Sequence, residues 1–500
     1  MYGCINVIKN KDAMPFITFF RYQLKKLHLN VTSLYFLILI GGYYVFLIIT
    51  LVLFCLFISF HILYMFIPLY TSRTEKRNYP TEEKGISILI PAYNETLVIE
   101  NCLMGILNVN YSNFEILFIN DGSTDDTLET FEKHLMLIET SRSKQGVLSH
   151  EEVKSVYRSQ KFPFIWVIDK KNGGKADALN TGIEFATKEI IITLDADSIL
   201  EENSLNEMNR TFSDEFVVAA GGLVNIVQGF KRDESKLVPF FKISGLIRFQ
   251  IIQYMTAFYL IKATQSKFGA ITVIAGAFGA FRRSVLLQAN GYRKTVGEDM
   301  DITLRIHELI GTSLKGKRII FVPEAICYTE CPATFKSLFK QRIRWQKAFV
   351  DCVITYRKSF YRKFNNKVSS FLLLDSLLLG TLSAFPTVVV LILIIVTLNH
   401  FYLFLILFAT AILLALMQNI ASLLVSRRFG HCYCLKEQIS LILFLPIEVA
   451  IYRLIGILFV TVGTIVYFFD KDGWNRSERI GHSIMLNTEL KPIVKDVSGG

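Results

Sequence analysis

Ile86–Glu95 reads ISILIPAYNE, and its two halves decide the fold. The first half is a short, unbroken apolar run, the pattern of a strand buried on both faces of a parallel sheet. The second half is polar and opens a helical pattern, with Val98, Cys102 and Ile106, and Ile99, Leu103 and Leu107, at helix spacing. The same arrangement recurs downstream. Phe114–Asn120 (FEILFIN) leads into the turn Asp121-Gly122-Ser123 and a helical stretch from Thr124. Phe164–Asp169 (FIWVID) leads through Gly173-Gly174 into a helix from Lys175, and Ile190–Leu194 (IIITL) ends in Asp195-Ala196-Asp197. Strands alternating with helices predict an α/β, doubly wound, mostly parallel sheet.

Ligands of such sheets bind beyond the carboxyl ends of the strands. Four polar clusters fall at that edge: Tyr93, Asn94 and Glu95; Asp121; Asn172 to Lys175; and Asp195 with Asp197. Turn chemistry explains any one of them, since Asp, Asn and Gly are the usual turn residues, but four in succession are harder to dismiss. Two carboxylates two residues apart at a strand end can hold a hard cation, Mg²⁺ or Mn²⁺, which takes its other ligands from substrate phosphate. Lys175 supplies a positive charge and Gly173-Gly174 a close backbone approach, so a phosphate-bearing substrate fits the group.

Two further motifs lie downstream. Gly297-Glu298-Asp299-Met300-Asp301 opens a helix through Leu304, Ile306 and Ile310. Acidic residues there are also what the helix dipole favours. Gln341-Arg342-Ile343-Arg344-Trp345 is helical, and Gln341, Arg344 and Trp345 share a face at i, i+3 and i+4. This second motif reads either as a membrane-interface anchor or as a diphosphate holder with Trp stacked on a sugar. Neither Cys327/Cys331 nor Cys432/Cys434 has the second pair or spaced His that a zinc site requires.

The 500 residues are 52% hydrophobic and only 19% charged, which excludes a disordered chain. The apolar residues lie in blocks: Leu34–Tyr70, Phe371–Leu398, Phe401–Val425 and Ile439–Phe469. Each reaches the length of about 20 residues that a membrane-crossing helix needs. The chain divides into an N-terminal basic and membrane segment (1–71), a soluble domain (72–368), a membrane and interfacial region (369–470) and a polar tail (471–500). Leu34–Tyr70 is either one long span or an interfacial piece plus a span. In the last block Pro446, Glu448 and Arg453 are costly at mid-bilayer, so 438–452 is expected to be interfacial or re-entrant and 454–469 a short span. The net charge of +11 clusters at the junctions: Arg73, Lys76, Arg77 and Lys84, then Arg357, Lys358, Arg362, Lys363 and Lys367, then Arg427, Arg428 and Lys436. The positive-inside rule puts the soluble domain in the cytoplasm of a multi-pass plasma-membrane protein. Anionic lipid and a phosphate-bearing substrate account for the basic excess without nucleic acid.

Taken together, PAYNE (91–95), NDGSTDD (120–126), NGGKADALN (172–180), DADS (195–198), GEDMD (297–301) and QRIRW (341–345) resemble the membrane-embedded, processive glycosyltransferases of family 2. The hyaluronan, cellulose and poly-N-acetylglucosamine synthases belong there, and in pattern the chain is most similar to the bacterial poly-β-1,6-N-acetylglucosamine synthase branch. The resemblance covers about residues 85–365 and the flanking spans. It implies a GT-A, Rossmann-like catalytic domain between transmembrane helices. Asp121 would hold the base or ribose, with Ala92, Tyr93 and Glu95 lining the pocket and Lys175 touching the nucleotide. Asp195 and Asp197 would hold the uridine diphosphate through the metal. Asp299 would be the general base with Glu298 beside it, and Arg342 and Arg344 would hold the leaving diphosphate. Gln341 and Trp345 would meet the acceptor, and Phe278, Gly279 and Arg282 resemble the strand that shapes its site. The implied reaction is an inverting transfer from a UDP-sugar to a growing β-linked polysaccharide at the inner leaflet, coupled to export, with room for a small accessory membrane subunit. The alternatives are single transfer to a lipid carrier or glycolipid, and a membrane scaffold or transporter with a degenerate transferase domain.

Three stretches depart from the family pattern or need a separate reading. Residues 136–161 form an insertion whose HEEVKSVYRSQ is charged and helical-looking. Leu237–Ile261 reads as an interfacial helix on the inner leaflet. GED stands between the TED and GDD of other synthases and does not name the sugar.

Overall fold

Twelve strands form among the described residues, and ten of them make one sheet. The computed structural model describes residues 31–71, 80, 82–233, 236–397, 401–429 and 433–470. The segment 1–30, the junction residues Arg73, Lys76 and Arg77, and the tail 471–500 lie outside the described residues. The strands are β1 (Ile86–Ala92), β2 (Phe114–Asn120), β3 (Leu137–Glu139), β4 (Val153–Ser159), β5 (Ile165–Lys170), β6 (Ile190–Leu194), β7 (Ile199–Leu200), β8 (Val217–Ile226), β9 (Phe230–Asp233), β10 (Lys236–Pro239), β11 (Phe278–Arg282) and β12 (Arg318–Thr329). The sheet order is β3-β4-β5-β2-β1-β6-β11-β8-β12-β7.

The four strands read from the sequence are adjacent and parallel in the order β5-β2-β1-β6. Ile86, Ile88, Leu89 and Ile90 of β1 are fully buried, each contributing about 1.5–3 kcal/mol through removal from water. Helix α1 (Lys175–Phe185) crosses back over this half. It can lie on β1 because Gly182 carries no side chain; a Cβ there would sit 3.0 Å from Leu89. β11 enters antiparallel between β6 and β8, so the sheet is mixed outside its four parallel strands.

The insertion is not helical. Val153–Ser159 of HEEVKSVYRSQ is β4, paired antiparallel to β5, with β3 at its outer edge. Val153, Val156 and Tyr157 suit a pleated surface. Arg158 and Arg142 lie over the Trp166 ring of β5 at 5.2 and 4.2 Å from its centroid. The cationic residues that looked like a helix face are therefore the exposed side of a sheet margin.

The apolar blocks become helices. Among the described residues four are long and apolar enough to cross a membrane: Leu47–Tyr70, Asn366–Val389, Leu405–Arg428 and Leu435–Phe469. The first lies within one helix, Val31–Thr71, and not in two pieces. The last is continuous: Leu435–Ile447 passes through a π-helical segment, Glu448–Tyr452, into α2 (Arg453–Phe469). Pro446 does not end the helix, because the widened π segment absorbs the break in hydrogen bonding. One polar pair joins two of these helices and another lies within the last. Tyr64 donates to Asp375 at 2.5 Å, and Arg453 Nε lies 3.1 Å from Glu448 Oε2.

The stretch from Leu237 also differs from its reading. Leu237–Pro239 belongs to β10, and helix starts only at Gly245, where Ser244 accepts from Ile247 N–H. It runs through a π segment, Thr256–Lys262, to Phe268. Ile247, Phe249, Ile252, Phe258 and Tyr259 are buried, and Phe249 stacks on Tyr452 at 4.5 Å. The helix packs between the sheet and the apolar helices.

Candidate active site

The register of β1, β2, β5 and β6 brings Ala92, Asn120, Lys170 and Leu194 to one edge. A cavity of about 1740 Å³ lies against that edge. Ala92, Tyr93, Glu95, Asp121, Lys175, Asp195, Asp197, Glu298, Asp299, Gln341, Arg342, Arg344 and Trp345 all line it.

At the β2 end, Asp121 is 3% exposed. Its carboxylate accepts from Gly173 N–H at 3.0 Å, Gly174 N–H at 2.8 Å and Lys170 Nζ at 2.7 Å. Gly174 can donate because its φ of +91° lets the turn aim two successive N–H groups at one carboxylate. Lys170 is fully buried and also pairs with Asp177 at 2.6 Å. The sequence reading missed this lysine; its place at the end of a core strand was the available signal.

Lys175 opens α1 and reaches Asp195 Oδ1 at 2.7 Å and Glu298 Oε1 at 3.2 Å. Burial opposes its charge, but Asp195 and then Glu298 outweigh burial and hold the ammonium above its ordinary pKa. Gly276 permits the crowding, since a Cβ there would lie 3.1 Å from Lys175 Nζ and 3.7 Å from Asp299 Oδ2. Asp197 accepts from Thr329 Oγ1 at 3.3 Å. Asp195 and Asp197 are hard oxygen donors on the cavity wall. Among the described residues no group of three or more His, Cys, Asp or Glu is arranged to cage a metal without further ligands.

Asp299 stands in the first turn of α3 (Glu298–Gly311), with Oδ1 accepting from Met300 N–H at 2.8 Å. Burial first, and the Glu298 charge second, raise its pKa above the usual aspartate value, against the pull of Lys175 and Arg344. Asp301, of the same motif, is fully buried and paired with Arg293 and Arg305, so it is a structural anchor.

The QRIRW motif sits on α4 (Phe335–Thr355), capped by Thr334 accepting from Ser337 N–H at 3.2 Å. Arg342 stacks on Trp345, its Cζ 4.3 Å from the ring centroid. Arg342 Nε and Nη2 and Gln341 Oε1 are buried and find no hydrogen-bond partner among the described residues. Burial pulls the Arg342 pKa down, although a guanidinium stays charged. Lys262, which the sequence offered only as a charge in an apolar helix, also lines the cavity. Burial lowers its pKa to about 8 against the pull of Asp299.

The acceptor-strand residues fall elsewhere. Phe278 is fully buried in the sheet, and Gly279 packs against Ile274 and Phe281. Arg282 ties β11 to Glu189 and to the backbone oxygens of Phe212 and Val217. The cavity wall is formed instead by Ala275, Gly276 and Ala277, just before the strand.

The cavity continues into the apolar helices, where Thr50, His61, Gln418, Glu448 and Arg453 line it. Each of the three π-helical segments among the described residues, Thr256–Lys262, Phe371–Leu382 and Glu448–Tyr452, contributes lining residues. π segments are frequent at functional sites.

The sequence model described as Glycosyl transferase family 2 matches residues 87–288, and that of Glycosyl transferase family group 2 matches residues 190–417. The chain carries a family 2 glycosyltransferase domain. Curated relatives of the chain include the poly-β-1,6-N-acetyl-D-glucosamine synthase of Staphylococcus aureus (strain COL), 32% identical over 266 residues, 53% of this chain and 54% of that one. The Staphylococcus epidermidis synthase is 31% identical over 264 residues, 52% and 54% of the two chains. The chain thus spans about half the length of the curated relatives it matches. Among solved structures, a mannosyltransferase from Pyrobaculum calidifontis, in complex with GDP-Man and Mn²⁺, aligns with a TM-score of 0.52 at 18% identity. It covers 76% of this chain and 98% of its own. The mixed sheet is accordingly the GT-A fold.

Proposed function

We propose that the protein is an inverting glycosyltransferase that moves N-acetylglucosamine from its UDP-sugar to a growing β-linked polysaccharide and passes the product into the membrane bundle. The observation that carries this reading is the single cavity joining the carboxylate-rich strand edge, the QRIRW helix and the apolar helices. A polymer extended one sugar at a time needs such a path, and the polar groups along it suit saccharide hydroxyls. The name of the curated relatives supports the sugar and the product class.

In this reading the diphosphate lies between Asp195, Asp197 and the QRIRW helix. Asp195 and Asp197 would hold a divalent cation, Mg²⁺ or Mn²⁺, which would supply charge neutralisation for the leaving group. Arg342 supplies hydrogen-bond donors that nothing else in the protein occupies among the described residues. The acceptor hydroxyl oxygen attacks the anomeric carbon, Asp299 takes its proton, and the bond from that carbon to the diphosphate breaks as UDP leaves. The raised pKa of Asp299 brings its basicity closer to the working pH. Trp345, 39% exposed, offers a flat face to the acceptor sugar.

The catalytic domain faces the cytoplasm, at the inner leaflet, in this reading. Lys84, Arg357, Lys358, Arg362, Lys363, Lys367, Arg427, Arg428 and Lys436 flank the apolar helices. Purified protein supplied with labelled UDP-glucose, UDP-N-acetylglucosamine or UDP-glucuronate tests the proposal. Polymer is expected from UDP-N-acetylglucosamine alone, lost with EDTA and restored by Mg²⁺ or Mn²⁺. Products limited to a single sugar on lipid would sink the polymerase reading.

A further inference from the structure

One buried carboxylate, Asp351 at 2% exposure, gathers three parts of the molecule. It lies on α4, beyond Arg342 and Trp345. Its Oδ2 accepts from Arg293 Nη2 at 2.9 Å and from Thr295 Oγ1 at 3.1 Å, both in the loop leading to Glu298 and Asp299. Its Oδ1 accepts from Tyr467 of α2, the last apolar helix, at 3.0 Å. Arg293 also donates through Nε to Asp301 at 2.9 Å, two residues beyond Asp299. Asp301 is held in turn by Arg305 at 2.8 Å and Tyr356 at 2.9 Å. Arg293, Asp301 and Asp351 are not among the residues lining the cavity, so any effect on chemistry passes through their neighbours.

The backbones leave little room for slip. A Cβ on Gly297 would lie 2.3 Å from Ala348 of α4, and one on Gly463 of α2 would lie 2.7 Å from Gln346. Gln346 also donates to Thr464 at 3.0 Å. The base loop, the cation-bearing helix and the last apolar helix are thus in direct contact, and Asp351, on the second of them, is hydrogen-bonded to the other two.

We propose that Asp351 is a positioning residue: with Arg293 it fixes Asp299 relative to Arg342 and Arg344, and through Tyr467 it makes that spacing depend on the last apolar helix. The inference rests on the transferase reading above. Arg293 is half-buried, so the ion pair is weak evidence for stability; Asp351 is the buried member, and its carboxylate loses compensation if the loop or the last helix shifts. Misplacement by about 1 Å can cost about 100-fold in rate.

Steady-state kinetics on the full chain in lipid nanodiscs, with UDP-N-acetylglucosamine as donor, tests this. Asp351→Asn is expected to lower kcat by about 30- to 100-fold, leaving donor KM within about twofold and UDP binding unchanged. Tyr467→Phe, a milder change that keeps the packing, is expected to lower kcat by about threefold. The double variant is expected to be no slower than Asp351→Asn, because the hydroxyl acts through that carboxylate. An active wild type whose Asp351→Asn variant keeps its kcat, or loses activity only in proportion to folded protein, overturns the inference alone. So do losses that multiply in the double variant. A wild type that transfers no sugar from any of the three donors overturns the transferase reading and this inference together.

Discussion

The two walls of the cavity treat charge differently. On the strand-edge wall the protein supplies the partners: Asp121 is met by Lys170 and two N–H groups, and Lys175 by Asp195 and Glu298. On the helical wall Arg342 and Gln341 keep buried polar atoms without partners among the described residues. Lys262 Nζ reaches a backbone oxygen, that of Val273. A buried polar group left unmade costs about 1–3 kcal/mol, so the Arg342–Gln341 site carries a standing cost that the paired Asp121 and Lys175 sites do not. Such costs persist where unspent donors are needed by something that arrives later, here the negative charge growing on a departing diphosphate. The strand-edge wall is therefore expected to answer mutation in folding and donor binding, and the helical wall in turnover.

The largest effect tests the point where the walls meet. Asp299→Asn keeps the shape and the Met300 N–H contact but removes the base; kcat is expected to fall at least about 1,000-fold, with unchanged melting temperature and UDP affinity. Arg342→Met comes next. It is expected to lower kcat about 100- to 1,000-fold, while the melting temperature holds or rises because an uncompensated buried charge is gone. A fall in both would mean that the Arg342 charge already has a use inside the protein, and the contrast between the walls would collapse. Arg342→Lys should rescue little, since a lysine cannot present the planar fork that matches a diphosphate.

Asp121→Ala probes the strand-edge wall at a paired site and should give the opposite profile. Lys170 loses one of two carboxylate partners and two N–H groups lose their acceptor, so unfolding free energy should drop by about 3 kcal/mol. Donor KM should rise about 10-fold or more, with kcat at saturation less affected. Thermal melts and donor titrations of the same preparations check this. A variant of wild-type stability would show that the Asp121 network is not what holds the strand edge together.

The strand-edge wall was legible in the sequence because its chemistry is local. Asp121, Lys175, Asp195 and Asp197 each follow a core strand within a few residues, and a parallel register brings all strand ends to one edge. QRIRW was legible as a helix face, but its neighbourhood was not. Arg342 comes near Tyr254, and shares a cavity with the strand-edge residues, only through tertiary packing. The misreadings share a cause: single-sequence periodicity does not register a partner. Val153–Ser159 is a strand because β5 is beside it, and Leu435–Phe469 stays helical past Pro446 through a π segment no pattern announces. Asp351 and Tyr467 are 116 positions apart, and neither belongs to a motif.

The smallest expected effect concerns Glu298, which borders both walls. It donates no proton in the proposed reaction and accepts none; it raises the Asp299 pKa by like charge, second only to burial. Asp299 must be ionised to act, so turnover falls as pH drops through its pKa. That acid limb should lie above the ordinary aspartate value of about 3.9. Glu298→Gln removes the repulsion but leaves Lys175 and Arg344 to favour the charged form, so the limb should move to lower pH with only a few-fold change in plateau kcat. Lys175 keeps Asp195 as a partner, which limits collateral loss. Acid unfolding can be told apart by sign. A carboxyl whose pKa is raised in the folded state contributes stability that grows as pH falls, so its own titration cannot produce a loss of fold in that window. Melting temperatures across the same pH range supply the control. If Glu298→Gln instead abolished turnover at every pH, the base assignment would pass from Asp299 to Glu298, and the boundary between the two walls would shift by one residue along α3.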